Sequence, residues 1–203
     1  PGKQRPFPVM KPTSPGAPIG PMSILQLLPV IGEVLGAHAG RQVLRAAGVK
    51  RLPLEDRLCE EAPAAAVHQA LRREFPEIAD QITRHAGERT GSWIIDSRMP
   101  PVAARTLANM PAWLASPVLC RLIDRHAWTF AGSGRFRVVS RHPVVFELED
   151  NPVVRGEHAK HPICSWHAAV LERLFRALVD PGMICVETRC SACGDSACRF
   201  EMQ

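Results

Sequence analysis

The residues whose chemistry is most evident lie near the carboxyl-terminal end of the chain, where cysteines gather around one glutamate. They are Cys164, Glu187, Cys190, Cys193 and Cys198. Thiolates and carboxylates are zinc ligands, and four of them complete a tetrahedral site. Spacing alone favours Cys190 and Cys193 with Cys198, because two cysteines two residues apart can bind one ion from a single turn. We therefore expect a metal centre, and four protein ligands would make it a structural site rather than one that activates water.

The cysteines also have a second interpretation, as small buried hydrophobic residues that bind no metal. His167 is a further candidate ligand, since it lies about one helical turn after Cys164, although a histidine on a helix is more often a surface or hydrogen-bonded residue. Seven cysteines are an odd number, and a chain of 203 residues is long enough to fold without disulfides. This cysteine usage favours metal ligation and predicts a reducing, cytoplasmic location.

The composition is that of a globular protein, with 46% hydrophobic and 22% charged residues. The net charge of +5 comes mostly from arginines scattered singly, without the interleaved aromatic residues that stack on bases, which argues against nucleic-acid binding. An anionic small ligand or an acidic protein surface is compatible with this charge. No segment reaches the roughly 18 apolar residues of a transmembrane helix. The apolar stretch 22–31 contains Pro29 and precedes Glu33, which argues against a secretory signal.

The first 22 residues are rich in proline, which predicts an extended and largely disordered arm. Residues 23–203 have a length typical of a single domain. Through much of this domain, apolar residues recur at helical spacing. The predicted helices are Ser23–Leu44 with a kink or split at Pro29, Pro53–Ala62, Pro63–Glu74, Pro76–Ser97, Pro101–Met110 and Pro111–Trp128.

The apolar pattern changes to alternation after Gly134, which is the period of a β-strand. The remaining predicted elements are strands at Phe136–Ser140 and Val144–Leu148, a loop at 151–160, a helix at Pro162–Val179, and strands at Met183–Thr188 and Ala197–Met202. The cysteine segment joins the last two strands. We therefore predict an α+β fold, in which a helical amino-terminal part packs on a mostly antiparallel sheet of about four strands.

The spacing of the candidate ligands resembles that of the 4-vinyl-reductase domain family. The resemblance rests on Glu187-x2-Cys190-x7-Cys198, on Gly194-Asp195 before the last cysteine, on the closing Cys-Arg-Phe and on Cys164 at the head of the preceding helix. It is closest over residues 162–203. It implies Cys164, Glu187, Cys190 and Cys198 as structural zinc ligands, with Cys193 a bystander or a substitute ligand. It also implies a fold similar to that of transport-particle subunits, with an apolar pocket.

The same resemblance implies a place in bacteriochlorophyll biosynthesis, with a tetrapyrrole intermediate as ligand. The family's name asserts reduction of a vinyl group, which needs a hydride or electron source. We find no glycine-rich dinucleotide fingerprint and no flavin motif, and one glutamate with three cysteines suits zinc better than an iron–sulfur cluster. We therefore favour a protein that binds a magnesium protoporphyrin or protochlorophyllide intermediate and carries it to pathway enzymes. A vinyl reductase with an external electron donor and a sensor or scaffold for a small aromatic ligand remain alternatives.

Four residues are candidates for the wall of the pocket. The resemblance places Ala168 and Cys185 where phenol-sensing relatives have aromatic side chains, and small residues there would leave room for a larger flat ligand. His126 and His142 have aromatic or basic neighbours in the sequence, which suits an axial ligand for magnesium or a partner for a propionate. Ordinary packing or exposure explains each of the four at least as well. A homodimer is also compatible with the sequence.

Overall fold

The computed structural model describes residues 17–203, in which helices dominate the first two-thirds. The helices are α1 (Met22–Leu25), α2 (Leu27–Leu35), α3 (Ala37–Ala46), α4 (Glu61–Glu74), α5 (Pro76–Arg98), α6 (Pro101–Ala108), α7 (Ala112–His126), α8 (Trp128–Ala131) and α9 (Ser165–Leu178). Short 3-10 helices lie at Pro152–Val154 and Ser191–Cys193. None of the helices within residues 17–203 has the length and apolarity needed to cross a membrane.

The strands form one main sheet and one short pair. They are β1 (Pro18–Ile19), β2 (Cys59–Glu60), β3 (Arg135–Arg141), β4 (Val144–Glu149), β5 (Cys185–Arg189) and β6 (Cys198–Met202). The main sheet has the order β3-β4-β6-β5, and each neighbouring pair is antiparallel. Phe146 lies opposite Phe200 in the β4–β6 pair, and both are buried because alternate residues of a strand face the core. The predicted α+β class with a four-stranded antiparallel sheet is confirmed.

Helix α9 lies between α5 and the main sheet, and two glycines permit its close contact with α5. A Cβ added at Gly87 would lie 2.8 Å from the Cβ of Ala169, and one added at Gly91 would lie 2.7 Å from the Cβ of Arg173. On the sheet side, the ring of Phe175 lies 5.9 Å from a phenylalanine ring of β4. These contacts fix the position of α9, whose first turn follows one of the candidate metal ligands.

The single helix predicted over Ser23–Leu44 is divided into three, and Pro29 lies inside a continuous α2. Pro29 is the third residue of α2, where a backbone N–H would have no partner within the helix, so proline costs little there. The second division falls at Gly36, whose φ of 84° is a conformation that glycine adopts without strain.

The short helix predicted over Pro53–Ala62 does not form, and the chain there makes turns and strand β2 instead. Leu52 and Leu54 are 49% and 59% exposed, so the apolar residues of this stretch have no surface to pack against. Helix α4 begins at Glu61, which places Pro63 in its first turn.

Residues 1–16 of the predicted arm at 1–22 lie outside the described residues. The remainder is part of the packed structure, because Pro18–Ile19 pairs with Cys59–Glu60 and the Ile19 and Met22 side chains are buried in the core. In addition, the Gly20 N–H donates to the Thr129 carbonyl over 2.6 Å. The ordered fold therefore includes residues 17–22, which differs from the expectation of a disordered arm.

Candidate metal centre and apolar cavity

Four of the candidate ligands meet where the amino-terminal end of α9 reaches the β5–β6 hairpin. Cys164 directly precedes α9, Glu187 lies on β5, and Cys190 and Cys198 lie at the two ends of the connecting loop. One donor atom from each of the four lies within 4.8 Å of the others. The three cysteines are buried and the glutamate is half-buried. The fold thus joins an upstream cysteine to the carboxyl-terminal hairpin.

The sulfur atoms are spaced as ligands of one ion would be. Cys164 Sγ lies 3.8 Å from Cys190 Sγ and 3.4 Å from Cys198 Sγ. Sulfur ligands about 2.3 Å from a tetrahedral zinc ion lie roughly 3.8 Å from one another, so the cluster needs little adjustment to accept one. The Asn151 side-chain amide donates to Cys164 Sγ over 3.3 Å and to Cys198 Sγ over 3.6 Å. Such donors orient ligands and stabilise thiolates.

Glu187 provides the observation that best fits a bound cation. Its Oε2 accepts a hydrogen bond from the Cys164 N–H over 2.7 Å, whereas its Oε1 is buried and has no partner of ordinary hydrogen-bond geometry within residues 17–203. Burial raises the pKa of this carboxyl group to about 7. A cation would satisfy Oε1 and favour the ionised carboxylate. The Cys and Glu residues can therefore hold a metal ion.

The thiols of the cluster differ in how readily they ionise. Burial raises the pKa of Cys164 well above its ordinary value, whereas hydrogen bonds from Cys164 and Cys190 lower the pKa of Cys198. The Ser191 N–H and hydroxyl each lie 3.5 Å from Cys198 Sγ and favour its thiolate further. Because the thiolate is the form that binds metal, Cys198 is the sulfur ligand best prepared for an ion.

Cys193 lies outside this cluster, although sequence spacing favoured it as a ligand. It ends the 3-10 helix Ser191–Cys193, and its N–H donates to the Cys190 carbonyl over 2.9 Å. Gly194 follows with a φ of 97°, and the Cys193 side chain is exposed. The turn therefore separates the two cysteines of the Cys-x-x-Cys pair. The four residues that lie together are those implied by the family resemblance.

A cavity of about 340 Å³ lies beside the first turns of α9, enclosed by α5, α7, α9 and the main sheet. Its wall is largely apolar. Lining side chains include Leu122 and Ile123 of α7, Val170 and Leu171 of α9, and Phe136 and Phe200 of the sheet. Its volume is at the lower end of the roughly 300–1,000 Å³ typical of small-molecule sites.

Two polar groups on the α9 side of the cavity have no partner of ordinary hydrogen-bond geometry among the described residues. They are the imidazole of His167, with both nitrogens buried, and the indole Nε1 of Trp166. Burial lowers the pKa of His167 to about 4, despite the Cys198 thiolate and the Phe130 carbonyl, which favour the charged form, so the ring is neutral. Leaving a buried polar group unpaired costs about 1–3 kcal/mol, which a polar atom of a ligand would offset.

Two basic side chains complete the lining at the ends of α5 and α7. The Arg98 guanidinium carbon lies 4.8 Å from the centroid of the Trp93 ring, and arginine keeps its charge in proteins. His126 is exposed, and its Nδ1 lies 2.8 Å from the Leu122 carbonyl oxygen. The cavity therefore combines an apolar wall with positive charge at its margin.

Among the four residues expected at the pocket, His126 is the one that lines this cavity. His142 lies in the exposed β3–β4 turn, and Cys185 is buried with its N–H donating to Glu172. Ala168 follows His167 on α9, and a helix turns about 100° per residue, so Ala168 belongs to another face. The expectation that these three residues contact a ligand is not supported by the lining.

Sequence reasoning considered His167 only as a metal ligand, although a signal for its position in the cavity wall exists. It lies three, four and seven residues before Val170, Leu171 and Leu174, all of which line the cavity. This spacing identifies one face of a helix. His167 is the polar member of an otherwise apolar stripe, and it is absent from the cluster of sulfur and carboxylate donors.

Comparison with known proteins places the chain among close relatives. It is 48% identical over 184 residues to the bacteriochlorophyll synthase 23 kDa chain of Cereibacter sphaeroides, covering 91% of this chain and 89% of that protein. It is 41% identical over 182 residues to the protein of the same name from Rhodobacter capsulatus, covering 90% and 85%. Similarity therefore extends well beyond the cysteine segment.

Solved structures share the fold at low sequence identity. An H-NOX protein from S. oneidensis in the Fe(II)NO ligation state has a TM-score of 0.57 and 8% identity, covering 91% of this chain and 98% of its own. The phenol-responsive sensory domain of the transcription activator PoxR has a TM-score of 0.53 and 16% identity, covering 80% and 88%. Likeness to transport-particle subunits stays a prediction.

The carboxyl-terminal part of the chain also matches a family model. The match is to the 4-vinyl-reductase domain and covers residues 144–203, which include all four clustered ligands. The chain therefore belongs to the family of bacteriochlorophyll synthase 23 kDa chains and carries a 4-vinyl-reductase domain at its carboxyl-terminal end.

Proposed function

We propose that this protein acts in bacteriochlorophyll biosynthesis by binding a tetrapyrrole intermediate in the cavity and presenting it to pathway enzymes. Family membership supports the pathway, since the relatives are named for bacteriochlorophyll synthase. The intermediate would be of the magnesium protoporphyrin or protochlorophyllide type. The observation that carries the proposal is the apolar cavity with unpaired polar groups on one wall. The predicted cytoplasmic location belongs to the same proposal.

The cavity has the chemistry that a planar pigment with an acidic side chain requires. Its apolar wall matches the faces of a macrocycle, and Arg98 offers a cation to a propionate. Because the cavity is small for its class, we expect the macrocycle to fill it and the propionate to lie towards Arg98. One solved neighbour has a title concerning porphyrin distortion in a haem protein, and its TM-score of 0.52 supports only the compatibility of this backbone with such a ligand.

The metal centre would serve the cavity from the opposite end of the first turn of α9. Cys164, Glu187, Cys190 and Cys198 would hold zinc, which would crosslink α9 to the β5–β6 hairpin. Trp166 and His167 follow Cys164 closely and form part of the cavity wall. A fixed Cys164 would therefore orient the side chains that face the ligand, as supporting contacts behind a binding site do in other proteins.

A sensor or scaffold for a small aromatic ligand is the alternative that a specific observation favours. The PoxR sensory domain, whose structure was solved with phenol, shares the fold, and the cavity volume suits a small ring. A vinyl reductase would need an electron donor bound elsewhere or supplied by a partner. Both alternatives become outcomes of one titration.

The experiment titrates purified protein with magnesium protoporphyrin and with divinyl protochlorophyllide, and follows the Soret band and tryptophan fluorescence. Phenol is titrated in parallel. We expect tight pigment binding with a shifted Soret band, and no loss of the vinyl group after NADPH is added. Conversion of the vinyl group would support the reductase, and binding of phenol alone would support the sensor.

A pair of tryptophan substitutions locates the binding site. Leu122→Trp would fill the cavity and should abolish pigment binding, because Leu122 lies on its wall. Leu54→Trp is the matched control, since Leu54 is 59% exposed and does not line the cavity. If both variants bind the pigment as the wild type does, the proposed site is wrong.

A further inference from the structure

One buried side chain of the cavity wall is left without a use by its own protein neighbours. His167 is 3% exposed, and neither ring nitrogen has a hydrogen-bonding partner of ordinary geometry within residues 17–203. Histidine is usually intermediate in burial, and a buried one normally finds a partner for at least one nitrogen. An imidazole in this state is poised to interact with something inside the cavity.

Aromatic rings hold the imidazole in a defined orientation. The Trp166 ring lies 4.9 Å away at an interplanar angle of 87°, and the Phe200 and Phe130 rings lie 6.0 and 6.3 Å away. These rings offer no nitrogen lone pair or carboxylate that could replace a ligand. The ring is therefore fixed by packing, as a group that must meet a ligand atom at a set place should be.

Electrostatics keep this imidazole neutral. Burial is the main reason that its pKa is low, Arg72 adds to it, and the Cys198 thiolate and the Phe130 carbonyl act in the opposite direction without overcoming burial. A neutral imidazole has a free lone pair on one nitrogen and is the form that binds metal ions. A magnesium ion inside a tetrapyrrole has its ring positions occupied by four nitrogens and is open to an axial ligand.

We infer that His167 is the axial ligand to the magnesium ion of the tetrapyrrole in this cavity, an inference that rests on the proposed function. The two histidines that the sequence suggested for this role are less suitable. His126 is exposed and has its Nδ1 against the Leu122 carbonyl. His142 lies in an exposed turn and does not line the cavity.

The inference is tested by comparing magnesium protoporphyrin with metal-free protoporphyrin on the full chain. The wild type should bind the magnesium form at least about tenfold more tightly, which corresponds to about 1.4 kcal/mol. His167→Ala and the larger His167→Leu should lose this preference while still binding the metal-free form. Added imidazole should restore the spectrum of the axially ligated magnesium pigment in His167→Ala. His126→Ala is the control and should keep the preference.

A readout without substitution guards against misfolding of the variants. In wild-type protein labelled with ¹⁵N-histidine, the magnesium pigment should shift one imidazole nitrogen far more than the metal-free pigment does, because ring current is common to both. An unchanged metal preference in both His167 variants, or equal nitrogen shifts with the two pigments, would overturn the inference. If neither pigment binds the wild type, the proposed function itself fails, which is a distinguishable result.

Discussion

Glu187 is the most discriminating residue of the metal centre, because it separates the two ligand sets that the sequence allows. Its Oε2 bonds to the Cys164 backbone, and its buried Oε1 is placed to accept a cation. Glutamine would preserve the acceptor towards Cys164 but would remove the negative charge. We therefore expect Glu187→Gln to bind zinc at least about tenfold more weakly, while Cys193→Ser keeps the wild-type metal content. Metal analysis after dialysis against a graded chelator measures both, and loss of zinc from Cys193→Ser alone would reverse the ligand assignment.

His68 makes the stability of the fold sensitive to acid. It is fully buried, its Nε2 lies 3.0 Å from the Ser23 carbonyl oxygen, and burial, aided by Arg72 and His167, lowers its pKa from 6.5 to about 3. Below pH 6.5 the unfolded chain binds a proton that the folded chain does not. The stabilising contribution is thus present above pH 6.5 and is lost as the pH falls towards 3, by about 1.4 kcal/mol per pH unit for one proton.

Replacing His68 should flatten this dependence. His68→Gln can still donate to the Ser23 carbonyl but cannot take up the proton. We expect its free energy of unfolding, measured in urea, to fall less steeply between pH 6.5 and 4 than that of the wild type. The difference between the two proteins isolates His68, since the metal ligands titrate in both. His85→Gln, on the exposed face of α5, serves as the control and should follow the wild-type curve.

The contact between α5 and α9 is the joint on which both the metal centre and the cavity depend. Gly87 and Gly91 let the two helices approach so closely that a methyl group at either position strikes α9. We expect Gly87→Ala to lower the free energy of unfolding by about 1–3 kcal/mol, as overpacking does. Gly40→Ala on α3 is the matched control, because its added Cβ meets nothing within 4 Å and alanine favours a helix by up to about 1 kcal/mol. Equal effects of the two substitutions in urea unfolding would show that the close contact is not needed.

The elements with a strong local pattern are the ones that sequence predicts well. Strands β3 and β4 follow an alternation, and α9 follows an apolar stripe, so their existence and type were predictable. The failures have physical reasons. Leu52 and Leu54 have no surface to pack against, Gly36 uses a conformation that breaks a helix, and the turn at Ser191–Cys193 directs Cys193 outward. Such outcomes depend on tertiary contacts and turn geometry rather than on local propensity.

The candidate site divides in the same way. Its metal ligands could be named from spacing only through resemblance to a family, because the sequence alone favoured Cys193. The cavity could not be located residue by residue, since its wall comes from α5, α7, α9 and the sheet. His167 was hidden because one polar residue in an apolar stripe looks like an exception until burial and missing partners are known. Three-dimensional convergence supplies that information.

The arrangement of the whole fold couples the two sites through α9. Cys164 ends in the metal cluster, and Trp166 and His167 face the cavity only two and three residues later. Metal binding that orders Cys164 would also order these side chains, so less conformational entropy would be lost when the pigment binds. Coupling between two sites is reciprocal, and pigment should raise the affinity for metal by the same factor.

This coupling gives the last expected outcome. We expect zinc-depleted wild type to bind magnesium protoporphyrin about tenfold more weakly than the zinc-loaded protein, within the range of about 5–150-fold typical of linked sites. Glu187→Gln should show the same loss, and Cys193→Ser should not, because its side chain lies outside the cluster. Titration followed by the Soret band measures the pigment affinity, and circular dichroism confirms that each sample is folded. Equal pigment affinities of folded, zinc-loaded and zinc-depleted protein would mean that the metal centre stabilises the hairpin without shaping the cavity.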